Sequence, residues 1–184
     1  MSILTPKVVA FVASQEGVCL EAYKDSKGVW TWGMGVTNAS GHEVYPKYKD
    51  NPSTMNEVLQ VGTWLLETHY LPSVLQAFKG KSLSENQLAA ALSFHWNTGA
   101  ILRADWVSGF NSNSPQTRGL LERNYNKGGL QGRRNGEAEL FFDDEWPSLL
   151  VPVRAVLKPS YSPDWKHVTL MNPLPDLELI LKGG

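Results

Sequence analysis

Two carboxylates and a hydroxyl lie close together near the N-terminus of the chain. Glu16 ends an apolar run, Asp25 follows in the turn-forming segment KDSKG, and Thr31 comes soon after it. Two carboxylates in different surroundings can divide acid and base work, because one can stay protonated as a general acid while the other stays ionised and holds a water. The spacing therefore permits a hydrolytic site, with Glu16 as the acid, Asp25 as the base and Thr31 sharing the water.

The position of Glu16 at a helix end favours its protonated form. The C-terminal end of a helix carries partial negative charge, which disfavours an ionised carboxylate by about 0.3–1 kcal/mol. Burial must supply the rest of any such preference. A Glu at a helix end and an Asp in a hairpin turn are also ordinary structural residues. Spacing alone therefore leaves both the catalytic and the structural interpretation open.

Local patterns predict the elements that position these three side chains. A Thr-Pro pair at 5–6 is typical of a helix start, and the apolar spacing after it predicts a helix over 6–16 that Gly17 ends. Residues 18–23 and 29–34 are rich in strand-forming types and flank the KDSKG turn. They predict a hairpin that follows the helix directly.

Trp30 and Trp32 flank Thr31 on the second predicted strand. Alternation along a strand places both tryptophans on one face and Thr31 on the other. Aromatic rings can stack on the C–H faces of sugar rings, but if Thr31 faces the site the tryptophans face away from it. We therefore expect both to pack in the core.

The remainder of the chain is mostly helical in pattern. A third, irregular edge strand is predicted near 42–48, where Pro46 argues against a central position. Capping-box pairs and glycine stops then predict a series of helices. These are a helix from Thr54 that Pro72 kinks or ends, a helix from Ser84 to Gly99, two helices that start near Asp105 and Ser114, and a helix over about 133–142.

The last forty or so residues differ from the rest. Residues 147–176 contain six prolines, which argue against regular helix, while the valines from Val151 onward suit a short strand or a packed arm. A segment of this size rarely folds alone without a metal or disulfide. We therefore predict a catalytic domain over 1–143 and a C-terminal extension over 144–184 that packs on it. The predicted fold class is α+β, with a small N-terminal β-lobe and a larger helical body.

Composition excludes several functional classes. Seventeen basic and eighteen acidic residues give a net charge of −1, which offers no reason to expect nucleic acid as a partner. Cys19 is the single cysteine, and the four histidines lack metal-ligand spacing, so we expect no metal site. We also expect no cofactor, because two carboxylates and a water suffice for acid–base chemistry. No signal peptide and no long apolar run is evident, so we expect synthesis in the cytosol without membrane insertion.

A longer motif surrounds the two carboxylates. The pattern E-G-x-x-L-x-A-Y-x-D-x-x-G-x-x-T-x-G-x-G resembles the signature of the phage-type lysozymes, glycoside hydrolase family 24. It is met without gaps by Glu16, Gly17, Leu20, Ala22, Tyr23, Asp25, Gly28, Thr31, Gly33 and Gly35. The segments LSENQLAAALSFHWNTG and GLQGRRNGEAELF also resemble the central helix and the Arg-Arg-x-x-Glu segment of that family. The resemblance covers residues 5–143 approximately, in family order.

The resemblance implies a lysozyme-like fold with the active-site cleft between the two lobes. It implies that Glu16 protonates the glycosidic oxygen, that Asp25 and Thr31 hold the attacking water, and that the reaction inverts the sugar configuration. Arg134 matches the family position that approaches the acid from across the cleft, and we take it as a substrate-binding candidate. An arginine there favours the charged glutamate and opposes the helix-end effect.

The implied activity is hydrolysis of the β-1,4 bond between N-acetylmuramic acid and N-acetylglucosamine in bacterial peptidoglycan. Biologically, the resemblance implies an endolysin, expected to be a monomer. It would be made in the host cytoplasm and act on the cell wall after holin-type release.

The sequence departs from the family pattern at three places. Val36 stands where the family has a histidine, Trp32 replaces an aliphatic residue, and the loop before Arg133 is short. Two other functions stay open: a lytic transglycosylase that needs only the acid, and an inactive peptidoglycan-binding or virion protein that keeps the fold. Intact Glu16, Asp25 and Thr31 speak against both.

Overall fold

A computed structural model of the chain describes residues 3–183. The helices are α1 (Pro6–Glu16), α2 (Met55–Leu65), α3 (Leu71–Ala77), α4 (Glu85–Thr98), α5 (Asp105–Asn111), α6 (Thr117–Arg123), α7 (Gln131–Asp143) and α8 (Leu174–Lys182). The strands are β1 (Val18–Lys24), β2 (Trp30–Gly33), β3 (Val36–Thr37), β4 (Val151–Arg154), β5 (Val156–Leu157), β6 (Ser162–Pro163) and β7 (Thr169–Met171). Among these residues, no helix is both long enough and apolar enough to cross a membrane.

The chain forms two compact units. The first combines residues 3–65 with 149–183, and the second contains residues 66–148. The first unit therefore takes its sequence from both ends of the chain, and the second is continuous.

The first unit is built around a five-stranded sheet in the order β3-β2-β1-β4-β7. β1, β2 and β3 form an antiparallel meander. β4 runs parallel to β1, with Val18 opposite Val153 and Cys19 opposite Arg154, and β7 pairs antiparallel with β4. The C-terminal segment thus supplies the strands on the other side of β1.

The predicted helix and hairpin at the N-terminus are confirmed. Thr5 caps α1, since its Oγ1 accepts a hydrogen bond from the Val8 N–H at 3.3 Å, and Pro6 takes the first helical position. Gly17 follows α1 with a φ of 69°, a conformation that favours glycine, and turns the chain into β1. The apolar side of α1, including Val8 and Phe11, is fully buried in this unit.

The predicted edge strand over 42–48 is wrong. Asn38 explains this, because its side-chain Oδ1 accepts hydrogen bonds from the N–H groups of Val44 (2.7 Å) and Tyr45 (3.1 Å). These donors are used within a turn and are not offered to a neighbouring strand. The third strand of the meander is instead the short β3.

The C-terminal segment holds a helix that the sequence analysis did not predict. α8 packs against α1 and α2 of the same unit, and its Leu177 side chain is fully buried. The proline density that argued against helix stops at Pro175, which lies in the first turn of α8. Proline is tolerated there because the first-turn N–H groups have no partner within the helix. The predicted domain boundary at 143/144 stays a prediction.

The second unit is helical, and its predicted helices are confirmed. Ser84 begins α4 with a capping box to Gln87, and Gly99 ends it in a left-handed conformation, its N–H bonded to the His95 carbonyl at 2.7 Å. The interruption predicted at Pro72 takes the form of a π-helical turn, Leu66–Tyr70, just before α3. With a small sheet in one unit and helices in the other, the predicted α+β class is confirmed.

Candidate active site

Glu16 is the last residue of α1, and its side chain is half-buried beside the turn that joins β2 to β3. The turn includes Gly35, which is exposed and has a φ of 94°. A Cβ atom placed on Gly35 would lie 4.0 Å from Glu16 Oε2. Because glycine has no side chain, the Glu16 carboxylate is bordered here by the exposed backbone of Gly35.

Asp25 lies in the β1–β2 turn, which its own side chain helps to form. Asp25 Oδ1 accepts hydrogen bonds from the N–H groups of Lys27 (2.8 Å) and Val29 (2.9 Å). Gly28, with a φ of 78°, closes the turn with an N–H bond to the Asp25 carbonyl at 3.0 Å. Both N–H groups found among residues 3–183 to donate to this side chain bond to Oδ1, so Asp25 Oδ2 is the oxygen that can accept a hydrogen bond from a water.

Thr31 lies on β2 directly opposite Tyr23 of β1, and opposite Thr37 of β3. Residues opposite one another in antiparallel strands project from the same face of the sheet. Thr31 is 4% exposed, and its Oγ1 donates a hydrogen bond to the Val29 carbonyl at 3.0 Å. The hydroxyl proton is thereby used, and the Thr31 oxygen can accept a hydrogen bond from a water.

Tyr23 lies in the electrostatic field of both carboxylates. Burial raises the pKa of Tyr23 above its usual range, and the nearby Cys19, Glu16 and Asp25 raise it further. The phenol therefore stays protonated at neutral pH. Glu16 and Tyr23 also line one small pocket, and Asp25 follows Tyr23 by two positions, so the structure brings both acids to the part of the first unit around the Tyr23–Thr31 pair. The catalytic roles of these residues stay predictions.

Cys19 is buried beside these residues, as predicted. Its side chain is 4% exposed, and burial raises the pKa of the thiol to about 11, although Arg154 acts in the opposite direction. A thiol with so high a pKa is a poor nucleophile at neutral pH. Cys19 therefore contributes packing.

The two tryptophans of β2 have different surroundings. Trp32 is fully buried and stacks on Tyr48 with ring centroids 4.0 Å apart, which confirms its predicted core position. Trp30 is only half-buried, so the core prediction is wrong for this residue. It stacks on Tyr45, and the edge contact of Tyr161 completes a small aromatic cluster. Trp30 is the first residue of β2, next to the β1–β2 turn and at the edge of the core.

A small pocket next to Glu16 includes residues that the sequence analysis missed. The pocket has a volume of about 40 Å³, enough for a water or two. Its lining includes Glu16, Cys19, Tyr23, Arg154, Pro163 and Trp165. The last three belong to the C-terminal segment. No pattern in the sequence indicated them, because that segment reaches the site through long-range contacts such as the parallel pairing of β4 with β1.

Arg134 belongs to the second unit and is fully buried there. Its Nη2 donates a hydrogen bond to Asn97 Oδ1 at 2.7 Å, and its Nη1 lies 3.1 Å from Glu137 Oε2. Glu137 is also buried and accepts a hydrogen bond from Ser93. Burial raises the pKa of Glu137, while Arg134 and Arg133 act to lower it. Substrate binding by Arg134 stays a prediction.

Among residues 3–183, no three His, Cys, Asp or Glu side chains are grouped so that they could hold a metal ion.

Comparisons with known proteins bear on this arrangement. The sequence profile of the family described as "Phage lysozyme" matches residues 13–137, a span that includes Glu16, Asp25 and Thr31. No curated protein sequence matches the chain.

Solved structures resemble the chain at low sequence identity. An endolysin from Escherichia coli O157:H7 phage FAHEc1 is 20% identical, with a TM-score of 0.59 over 80% of this chain and 98% of the endolysin. A variant of P22 lysozyme is 21% identical, with a TM-score of 0.60 over 77% of this chain and 99% of that one. The muramidase domain of SpmX from Asticaccaulis excentricus is 21% identical, with a TM-score of 0.56 over 73% of this chain and 94% of that domain. These likenesses confirm the lysozyme-like fold.

Proposed function

Because the chain belongs to the phage lysozyme family, we propose that it hydrolyses the β-1,4 bond between N-acetylmuramic acid and N-acetylglucosamine in bacterial peptidoglycan. Family membership assigns the chain to the lysozymes in general. The observation that carries the specific reaction is the grouping of Glu16 and Asp25 around the Tyr23–Thr31 pair, since two carboxylates and a water suffice for glycoside hydrolysis.

In the proposed reaction, Glu16 donates its proton to the glycosidic oxygen as the bond to the anomeric carbon breaks. A water held by Asp25 Oδ2 and Thr31 Oγ1 attacks that carbon, and Asp25 takes up the proton that the water loses. The leaving sugar departs with the proton from Glu16, so no cofactor is required. Attack from the face opposite the leaving group inverts the configuration.

The main test compares clearing of outer-membrane-permeabilised cells by the wild type, Glu16→Gln and Asp25→Asn. We expect each variant to lose about 100-fold or more in rate, because each loses an acid–base group. Glu43→Gln is the matched control, since Glu43 is an exposed acid in the same unit and should clear cells at the wild-type rate. If Glu16→Gln and Asp25→Asn clear cells as fast as the wild type, the proposed site is wrong. A wild type without activity would favour an inactive binding or virion protein.

Analysis of the products tests the reaction type. Mass spectrometry of the muropeptides should find reducing ends, whereas anhydro ends would identify a lytic transglycosylase. Proton NMR during the first turnovers should show the α-anomer as the initial product if the reaction inverts. An initial β-anomer would contradict inversion and leave hydrolysis intact.

We propose that Arg134 contributes to substrate binding, as the resemblance implies. Arg134→Lys keeps the charge but loses the paired geometry toward Glu137 and Asn97. A raised KM with a smaller change in kcat would support the binding role. A lower melting temperature with unchanged KM would restrict Arg134 to a structural role.

The proposed biological role is lysis of the host cell by an endolysin. One structural neighbour is an endolysin of an Escherichia coli phage, which supports this role. We propose that the protein acts as a monomer, is made in the host cytoplasm and reaches the wall after holin-type release. Expression in a host with and without a holin tests this, and we expect rapid lysis only when the holin is present.

A further inference from the structure

We propose that Trp165 of the C-terminal segment forms an additional glycan subsite, on which a sugar ring of the peptidoglycan strand stacks beside Glu16. The inference rests on the proposed function for its substrate class. Trp165 lies beyond residues 13–137, which match the family profile. The subsite is therefore a feature of the C-terminal segment and not of the family core.

Trp165 presents a large aromatic surface to solvent. Its side chain is 72% exposed, more than any other large hydrophobic residue found exposed among residues 3–183. The guanidinium of Arg154 lies over the ring, 5.4 Å from the centroid, and so covers one of its faces. The opposite face is the one that a ligand can contact.

The backbone around Trp165 is held in place by Arg154. The Nη1 group of Arg154 lies within hydrogen-bond distance of the carbonyl oxygens of Asp164 (3.2 Å), Trp165 (3.3 Å) and His167 (3.2 Å). Asp164 accepts two further hydrogen bonds within the turn, from the Lys166 N–H and from the Nδ1–H of His167. An exposed aromatic ring on a turn fixed in this way loses little entropy when it binds a ligand.

The turn over residues 164–167 is joined through β4 to β1, the strand that follows Glu16. Arg154 lies opposite Cys19 in the β1–β4 pair, and the Asp164 N–H donates to the Ala155 carbonyl at 2.8 Å. Trp165 and Glu16 line the same small pocket. A glycan strand whose scissile oxygen reaches Glu16 therefore passes beside the Trp165 ring.

The chemistry offered to the ligand is that of a flat apolar ring. Arg154 directs Nη1 at the turn, so its role is to position Trp165. An indole face suits the C–H face of a pyranose better than the carboxylates of a peptide stem. We therefore assign the subsite to a sugar ring of the glycan and not to the peptide.

Binding measurements in a Glu16→Gln background test the subsite without cleavage. The probe is peptidoglycan glycan strands freed of their peptides with an amidase, titrated by calorimetry. We expect Trp165→Ala to weaken binding roughly tenfold, the usual scale for truncating an aromatic anchor, and Trp165→Tyr to restore most of it. Leu179→Ala is the control, because Leu179 is 70% exposed on α8, and it should bind like the parent.

The active enzyme provides a second readout. Trp165→Ala should raise KM on the same strands about tenfold and change kcat much less, because stacking acts equally in the ground and transition states. Unchanged affinity and KM in Trp165→Ala would overturn the subsite and leave the proposed function standing. Loss of affinity for intact sacculi but not for peptide-free strands would also overturn it, in favour of a peptide contact. Trp165-dependent binding without cleavage by the wild type would instead contradict the proposed function alone.

Discussion

Tyr23 and Thr31 lie directly opposite each other on neighbouring strands, and this pair forms the centre of the candidate site. The Tyr23 phenol is influenced by Glu16 and Asp25 together, although these acids come from a helix end and a hairpin turn. The two carboxylates therefore lie near one pair of facing strand residues. Any water that serves the reaction is expected beside Thr31.

Thr31→Val is expected to lower kcat by about 100-fold, because it replaces the hydroxyl that we propose holds the water with a methyl group of similar size. The cost in stability should be small, about 1 kcal/mol, for the lost hydrogen bond to the Val29 carbonyl. Thr31→Ser keeps the hydroxyl and should retain most activity. Rates on permeabilised cells and thermal melts separate the two effects, and full activity in Thr31→Val would remove Thr31 from the mechanism.

Gly35→Ala is expected to impair both stability and activity. The new Cβ would lie 4.0 Å from Glu16 Oε2, on a backbone with a φ of 94° that costs a non-glycine residue about 1 kcal/mol or more. Gly41→Ala is the matched control, because Gly41 has a φ of 87° and no heavy atom within 4 Å of the added Cβ. Both variants should melt at lower temperature, but only Gly35→Ala should lose activity at a temperature where both are folded. Equal activity in the two would show that the space beside Glu16 is not needed.

Leu177→Ala is expected to destabilise the first unit by about 2–5 kcal/mol, the usual cost of truncating a fully buried leucine. Leu179→Ala changes a residue two positions away on the same helix that is 70% exposed, and it should change stability by less than about 0.5 kcal/mol. Chemical denaturation of both variants provides the measurement. A similar loss in the free energy of unfolding for the two variants would mean that α8 does not pack on this unit in solution.

The stability of the protein is expected to fall as the pH drops below about 6.5. Burial lowers the pKa of His42, and Lys47 lowers it further against the opposing effect of Glu57 and Glu43. A histidine whose pKa is lower in the folded state contributes stability that is fully present above its unfolded pKa and is lost as the pH falls from that value through the folded pKa, because the unfolded chain binds the proton more readily. Thermal melts between pH 7 and 5.5 should show a smaller decrease in melting temperature for His42→Phe than for the wild type. The same decrease in both would contradict this origin.

The elements predicted well from the sequence are those whose signals are local. Thr5 and Pro6 define the start of α1, and the KDSKG turn defines the hairpin, so Glu16, Asp25 and Thr31 could be placed on their elements from neighbouring residues alone. The same holds for the Ser84 capping box and the Gly99 stop of α4. In each case the deciding interaction joins residues only a few positions apart.

The elements that were missed depend on contacts that local patterns do not contain. The 42–48 segment has strand-forming residues, but the Asn38 side chain takes its backbone donors and makes it a turn. The pairing of Cys19 with Arg154 joins residues from opposite ends of the chain, so the approach of Trp165 to Glu16 had no sequence signal.

The order of the five strands also bears on how the protein is made. A chain that has left the ribosome only as far as α7 can use three of the five strands, because β4 and β7 have not yet emerged. The helical unit of residues 66–148 is continuous, so it can complete its folding while the sheet still lacks one side. Translation therefore completes the border of the Glu16 pocket last, and the nascent chain acquires that border only when its C-terminal segment emerges.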